Sequence, residues 1–197
     1  MEQWQRDMTS WYPEFQALRH RLHQEPECPF QEHRTTQLIR ELLTDWGAVV
    51  EDHPGLDTGL TALIHGAHPG PIVALREDID ALPMSENTGL PFSSCREGIC
   101  HACGHDVHTA VGLGVARILA EDQSWQGTVK LIFQPGEEGM RGARAMMERG
   151  IVDDVHDFFS LHVGIRALET GEIVTGCDGF LATSKLDAVF HGTTAHA

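Results

Sequence analysis

Two short stretches of this chain bring together residue types that do chemistry jointly. In His101-Ala-Cys-Gly-His-Asp106 a thiol, Cys103, stands two residues before an imidazole, His105, with a glycine between them. In Phe133-Gln-Pro-Gly-Glu-Glu-Gly139 two adjacent carboxylates, Glu137 and Glu138, follow a strand-like run and a turn. Cys, His and Glu are the side chains that ligate a borderline transition metal such as zinc. A spare carboxylate beside such a ligand is what metal-assisted hydrolysis needs as a general base. The two glutamates then have different jobs: one binds metal, the other takes a proton from water.

Each feature also has a plain structural reading. A lone Cys-x-His is more often a core pair than a metal site. Here Gly104 permits an unusual backbone, and His101 and Asp106 crowd the same turn. Asp106 is expected as a charge at a helix N-terminus, with a partner behind a metal ligand as the alternative. Two adjacent acids also suit the first turn of a helix. Asp78 and Asp80 follow a strand, where one would solvate the loop and the other would orient a ligand histidine. His162, in Ser160-Leu-His-Val163, sits at a strand end. Cys100-His-Ala-Cys103 is formally a Cys-x-x-Cys, so a thioredoxin-like redox motif is a rival reading. That rival leaves Glu137, Glu138 and His162 without roles.

The elements that must position these groups follow from periodicity. Trp11, Phe15, Leu18 and Leu22 predict an amphipathic helix over residues 9–26, stopped by Pro26 and Pro29. Leu38, Ile39, Leu42, Leu43 and Trp46 predict a second over 35–46, with Gly47 as its stop. Strands are expected at 48–51, 60–65, 72–76, 129–133, 158–161, 173–175 and 186–190. Helices are expected at 105–121, with Val111, Val115, Ile118 and Leu119 inward, and at 138–149. Residues 78–100 read as a long loop, a length that is often functional. Strands alternating with helices predict an α/β, layered α-β-α domain with a mostly parallel central sheet. Ligands bind such sheets outside the C-terminal strand ends, where Asp78, Glu137, Glu138 and His162 fall.

The chain has 197 residues and a formal net charge of −15, from 14 Lys+Arg against 29 Asp+Glu. That charge repels phosphate backbones, so nucleic acid is not an expected partner. No run approaches a membrane-spanning length, and no apolar leader opens the chain, so no membrane association is expected. Five cysteines, an odd number, fit reduced thiols and a cytoplasmic location. The pattern changes near residue 178. Residues 1–178 read as the N-terminal part of a metal-dependent catalytic domain, and 179–197 as the start of another that breaks off at Ala197.

With these residues in hand, the chain resembles the zinc-dependent amidohydrolase family of bacterial hippurate hydrolase, N-acyl-amino-acid amidohydrolases and plant auxin-conjugate hydrolases, related to aminoacylase. Leu18-Arg-His-Arg-Leu-His23 with Pro26-Glu27, Asp78-Ile-Asp80-Ala-Leu-Pro83, the two stretches above, Leu161-His162 and the closing His196-Ala197 follow in the family's order. The resemblance implies two divalent metal ions, zinc first and manganese, cobalt or nickel as alternatives. Their ligands would be Cys103, His105, Glu138 and His162. Glu137 would be the general base, Asp78 a carboxylate supporting the ligands, and His196 the group that stabilises an oxyanion. It implies a small-molecule N-acyl amino acid as substrate and a homodimer in the full-length form, formed through an inserted α+β dimerisation domain that starts at residue 179. The chain departs from the family at Cys100, where Met is usual, and at Glu77, where a small residue is usual. The family's last metal ligand, a histidine, would lie beyond Ala197. A catalytically incomplete metal-binding fragment is therefore the alternative expectation.

Overall fold

The computed structural model describes residues 3–139, 141–164, 169–175, 188–189 and 191–192. The chain divides into two compact units, Met1–Val163 and Gly164–Ala197. The boundary expected at 178/179, the strand expected at 186–190 and His196 lie wholly or partly outside the described residues. Residues 173–175 are described and carry no strand.

The first unit runs α1 (Gln3–Gln24), α2 (His33–Asp45), β1 (Val49–Glu51), β2 (Leu60–His65), β3 (His68–Asp78), α3 (His105–Glu121), β4 (Gln126–Gln134), α4 (Gly142–Met147) and β5 (Asp157–Ser160). The strands form one sheet in the order β1-β2-β4-β3-β5. β3 pairs in parallel with both β4 and β5. β2 is antiparallel to β4 and to β1. Two antiparallel steps restore direction, so four of the five strands point the same way.

Side-chain alternation along the strands gives the sheet two apolar faces. Leu131 and Phe133 of β4 join Leu60, Ala62 and Ile64 of β2 under the α1–α3 layer, with Phe15, Ile39, Leu43 and Leu113. Ile132 and Ala74 face the other way, onto Met146 and Ile151. The crossover from β3 to β4 therefore runs through α3 on one face, and that from β4 to β5 through α4 on the other. Connections that diverge in this way open a crevice beyond the C-terminal ends of β3 and β4.

Apart from the shifts at strand ends and the strand expected at 173–175, three helices differ from expectation. α1 begins at Gln3 and carries Pro13 within it; Gln3 bonds Asp7, and Thr9 and Ser10 return their hydroxyls to the carbonyls of Gln5 and Asp7. In α3 Val111 is exposed, whereas Gly112, Leu113, Gly114 and Ala116 are buried. This helix is covered on two sides. Gly112 meets Glu77 and Phe133 of the sheet, and Gly114 meets Met8 and Phe15 of α1. Small residues carry those close approaches, and Val111 is left on the remaining side. Finally, α4 starts at Gly142, not at 138, because Glu137-Glu138-Gly139 turns tightly through a bond from the Gly139 N–H to the Glu137 carbonyl at 2.6 Å. Arg141 then takes a left-handed φ of 65°.

Candidate metal centre

The crevice is furnished from four segments. The β3–β4 register sets Asp78 beside Gln134, so the chain leaves both strands at one level. Asp80 follows from β3, and Glu137 and Glu138 follow from β4. Cys103 and His105 flank the start of α3, whose N-cap is Gly104 at φ 90°. A side chain at 104 would be strained there and would strike Cγ2 of Val163. β5 then delivers His162.

These groups converge. Cys103 Sγ lies 3.3 Å from His162 Nε2. Candidate donor atoms of Cys103, His105 and His162 all lie within 4.8 Å of one another, and so do those of His105, Glu137 and Glu138. His105 Nε2 stands 3.9 Å from Glu137 Oε2 and has no hydrogen-bond partner among the described residues, although the residue is fully buried. A buried, unpartnered imidazole nitrogen facing a thiol and two carboxylates suits a borderline divalent cation. The thiol argues the same way. Burial first, then Glu138, Glu137 and Asp78, push the Cys103 thiol up to about 12. Nearby cationic charge reverses that penalty.

The second nitrogen of His105 is fixed from behind. Nδ1 lies 2.8 Å from the Asp80 carbonyl and 3.3 Å from its carboxylate. The other oxygen of that carboxylate accepts the Glu138 N–H at 2.9 Å. Asp80 thus ties together the segments carrying His105 and Glu138. Burial opposes its ionisation, but His105 and the N–H groups of Glu138 and Glu137 prevail and hold its carboxyl below the usual range. Burial likewise opposes a charged His105, and Asp80 and Asp78 outweigh it, raising the imidazole. Asp78, expected as the supporting carboxylate, pairs with Arg76 and groups with His105 and His108. Burial lifts its carboxyl to about 6, against the pull of Arg76.

Sequence reasoning passed over two contributors. His108, one turn beyond His105 and fully buried, accepts the Val163 N–H at Nε2 over 3.0 Å and packs edge-on against His162 at 4.5 Å. Burial pushes it down to about 3, so it is the neutral acceptor that bond needs. Its spacing from His105 was a usable signal. Glu32, fully buried, accepts the Gly136 N–H at 2.9 Å and so holds the turn before Glu137. Asp106 stands in the first turn of α3, where a charge at a helix N-terminus was expected, and its carboxylate takes Arg19 at 2.7 Å and His23 at 2.8 Å. As for the redox reading, burial raises the Cys100 thiol as well as that of Cys103, the opposite of what a nucleophilic thiolate requires.

The chain is similar to several known proteins. It is 48% identical over 163 residues to a p-aminobenzoyl-glutamate hydrolase subunit of Escherichia coli K12, covering 79% of this chain and 36% of that one. It is 41% identical over 187 residues to N-acetylcysteine deacetylase of Bacillus subtilis, covering 91% of this chain and 48% of the relative. Among solved structures, the Bacillus subtilis YXEP protein, described as a dinuclear metal binding peptidase from the M20 family, superposes with a TM-score of 0.78 at 42% identity, over 81% of this chain and 45% of that one. The chain thus spans between about a third and a half of the length of these relatives. The family model for peptidase family M20/M25/M40 matches residues 74–192, a span that takes in both stretches and His162. This chain belongs to the peptidase family M20/M25/M40.

Proposed function

We propose that this chain is the N-terminal part of the catalytic domain of a metal-dependent hydrolase that cleaves the amide bond of N-acyl amino acids or related conjugates. The observation that carries the reading is the convergence of Cys103, His105 and His162 on one side and Glu137 and Glu138 on the other around the unpartnered His105 Nε2. The names of the relatives, a deacetylase of N-acetylcysteine and a hydrolase of p-aminobenzoyl-glutamate, support the substrate class.

Cys103, His105, Glu138 and His162 would hold two divalent ions, zinc in the first instance. Bound there, such ions polarise a carbonyl and make water acidic enough to attack at neutral pH. Glu137 is half-exposed at the mouth of the crevice, beside the ligands but outside the bonds that bind Glu138 to Asp80. It takes the proton of the attacking water and returns it to the leaving amine. Asp78 and Asp80 keep the ligands oriented, and His196 donates to the developing oxyanion. The full-length protein is read as a cytoplasmic homodimer, on the resemblance for the dimer and on the free cysteines for the compartment.

The alternative reading is a fragment that binds metal without turnover. Elemental analysis of purified protein together with a panel of N-acyl amino acids separates the two. One to two equivalents of metal with turnover establishes the hydrolase. Metal without turnover establishes the fragment, and absence of metal removes the ligand assignment.

A further inference from the structure

The motif Leu18-Arg-His-Arg-Leu-His23 plays no part in the chemistry above, yet its last residue reaches the back of the metal centre. His23 is buried near the end of α1. Each of its ring nitrogens meets a carboxylate: Nδ1 lies 2.8 Å from Asp106 Oδ2, and Nε2 lies 3.3 Å from Glu86 Oε1. Asp106 directly follows His105. Glu86 belongs to the long segment between β3 and α3 that ends in Cys103, and it gathers that segment by accepting the Ser94 N–H at 2.7 Å and the Thr88 hydroxyl. Phe92 of the same segment stacks on His20 at 3.8 Å and meets the edge of His23 at 5.6 Å. Two more polar groups face the ring: Arg19 Nη2 stands 3.5 Å from Nδ1, and the His101 ring lies 6.3 Å away.

The need for such a tie follows from Gly104. Cys103 and His105 are joined through a glycine at φ 90°, and glycine restricts its neighbours less than any other residue. Their relative placement must come from what anchors the flanks. We propose that His23 is a positioning residue for the metal centre: by bridging Glu86 on the Cys103 side to Asp106 on the His105 side, it fixes the span between thiol and imidazole. This inference rests on the metal-hydrolase reading.

The test is cobalt(II) titration of the full chain, followed through the sulfur-to-cobalt charge-transfer band, on wild type, His23→Asn and His23→Phe. Asn reaches about as far as Nδ1 and keeps only the Asp106 bond; Phe keeps neither. Supporting groups behind metal ligands typically change metal affinity about 10–100-fold. Both variants should bind cobalt about tenfold more weakly, with a displaced charge-transfer band and an unchanged far-ultraviolet spectrum. If His23→Phe fails to fold, His23→Asn decides alone. Wild-type affinity and band in His23→Asn would overturn the inference. Failure of the wild type to bind cobalt would instead overturn the metal reading, and this inference with it.

Discussion

Cys103 Sγ and His162 Nε2, brought from the start of α3 and the end of β5, stand 3.3 Å apart. That separation exists only if β5 pairs with β3 in its observed register, Arg76 opposite Ser160. Removing the thiol leaves His162 facing an anionic pocket without its soft partner. Cys103→Ala should therefore weaken zinc binding by at least about 100-fold, the upper end of what losing even a supporting group costs. Competition with a chromophoric chelator reads this directly, and unchanged affinity would remove Cys103 from the ligand set.

Glu137 and Glu138 are adjacent but differently held. Glu138 is tied to Asp80 through its backbone, and Glu137 turns its carboxylate toward His105. On the proposed hydrolase reading, Glu137→Gln should lower kcat by about 10²–10⁴, the usual worth of general acid–base help. Metal content, measured on the same samples, should stay at the wild-type level.

The bond from the Val163 N–H to His108 is made at the residue next to His162. His108→Phe keeps the ring and removes the acceptor, orphaning that N–H. The cost expected is about 1–3 kcal/mol in stability. Metal affinity should fall as well, by about tenfold. Thermal melts with and without metal separate the two effects.

Glu77 is a buried carboxyl whose two oxygens have no partner among the described residues. Burial raises it from an ordinary 4.5 to about 8, with Asp78 adding and Arg76 opposing. The folded chain thus keeps a proton here that the unfolded chain releases above pH 4.5. Its contribution to stability is complete below that pH and is lost as pH rises toward 8. Asp78, raised to about 6, acts with the same sign. In metal-free protein Glu77→Gln should flatten the fall in Tm between about pH 6 and pH 8 and raise Tm by several degrees at the upper end, at roughly 2–4 °C per kcal/mol for a chain of this size. A wild-type slope in the variant would show that Glu77 is already ionised in the fold.

Glu77 fits at all because Gly112 faces it: a Cβ at 112 would lie 2.6 Å from Glu77 Cγ and 3.2 Å from Phe133 Cε1. Gly112→Ala should destabilise by about 1–3 kcal/mol through overpacking. Most of that loss should be recovered when Glu77→Ala is added, which denaturant melts of the double-mutant cycle will show.

What could be read in the sequence was what local pattern encodes. β2 and α3 fall where apolar periodicity places them, because each packs a continuous stripe on the core. The motif residues meet at the strand ends because the topology of an α/β sheet sends them there. Long-range choices were not legible. Whether Asp78 or Asp80 touches His105 depends on how the chain bends after β3, and two aspartates two residues apart look alike to any pattern. Val111 reads as inward because a helix packed on one side would bury it; that α1 covers a second side is information held in glycines. The helix expected from Glu138 failed for a related reason, since tertiary contacts set Gly142 against Pro135, where even a Cβ would collide.

β5 is the last strand of the sheet, and every one of its residues is exposed, Phe158 at 51% and Phe159 at 59%. Among the described residues nothing pairs with its outer side. A row of unpaired amides flanked by two aromatic rings is a template for a further strand, whether from the same polypeptide or from a neighbour. How this chain behaves in the test tube is thus a question of concentration as much as of stability: crowding favours pairing along the strand that leads to His162.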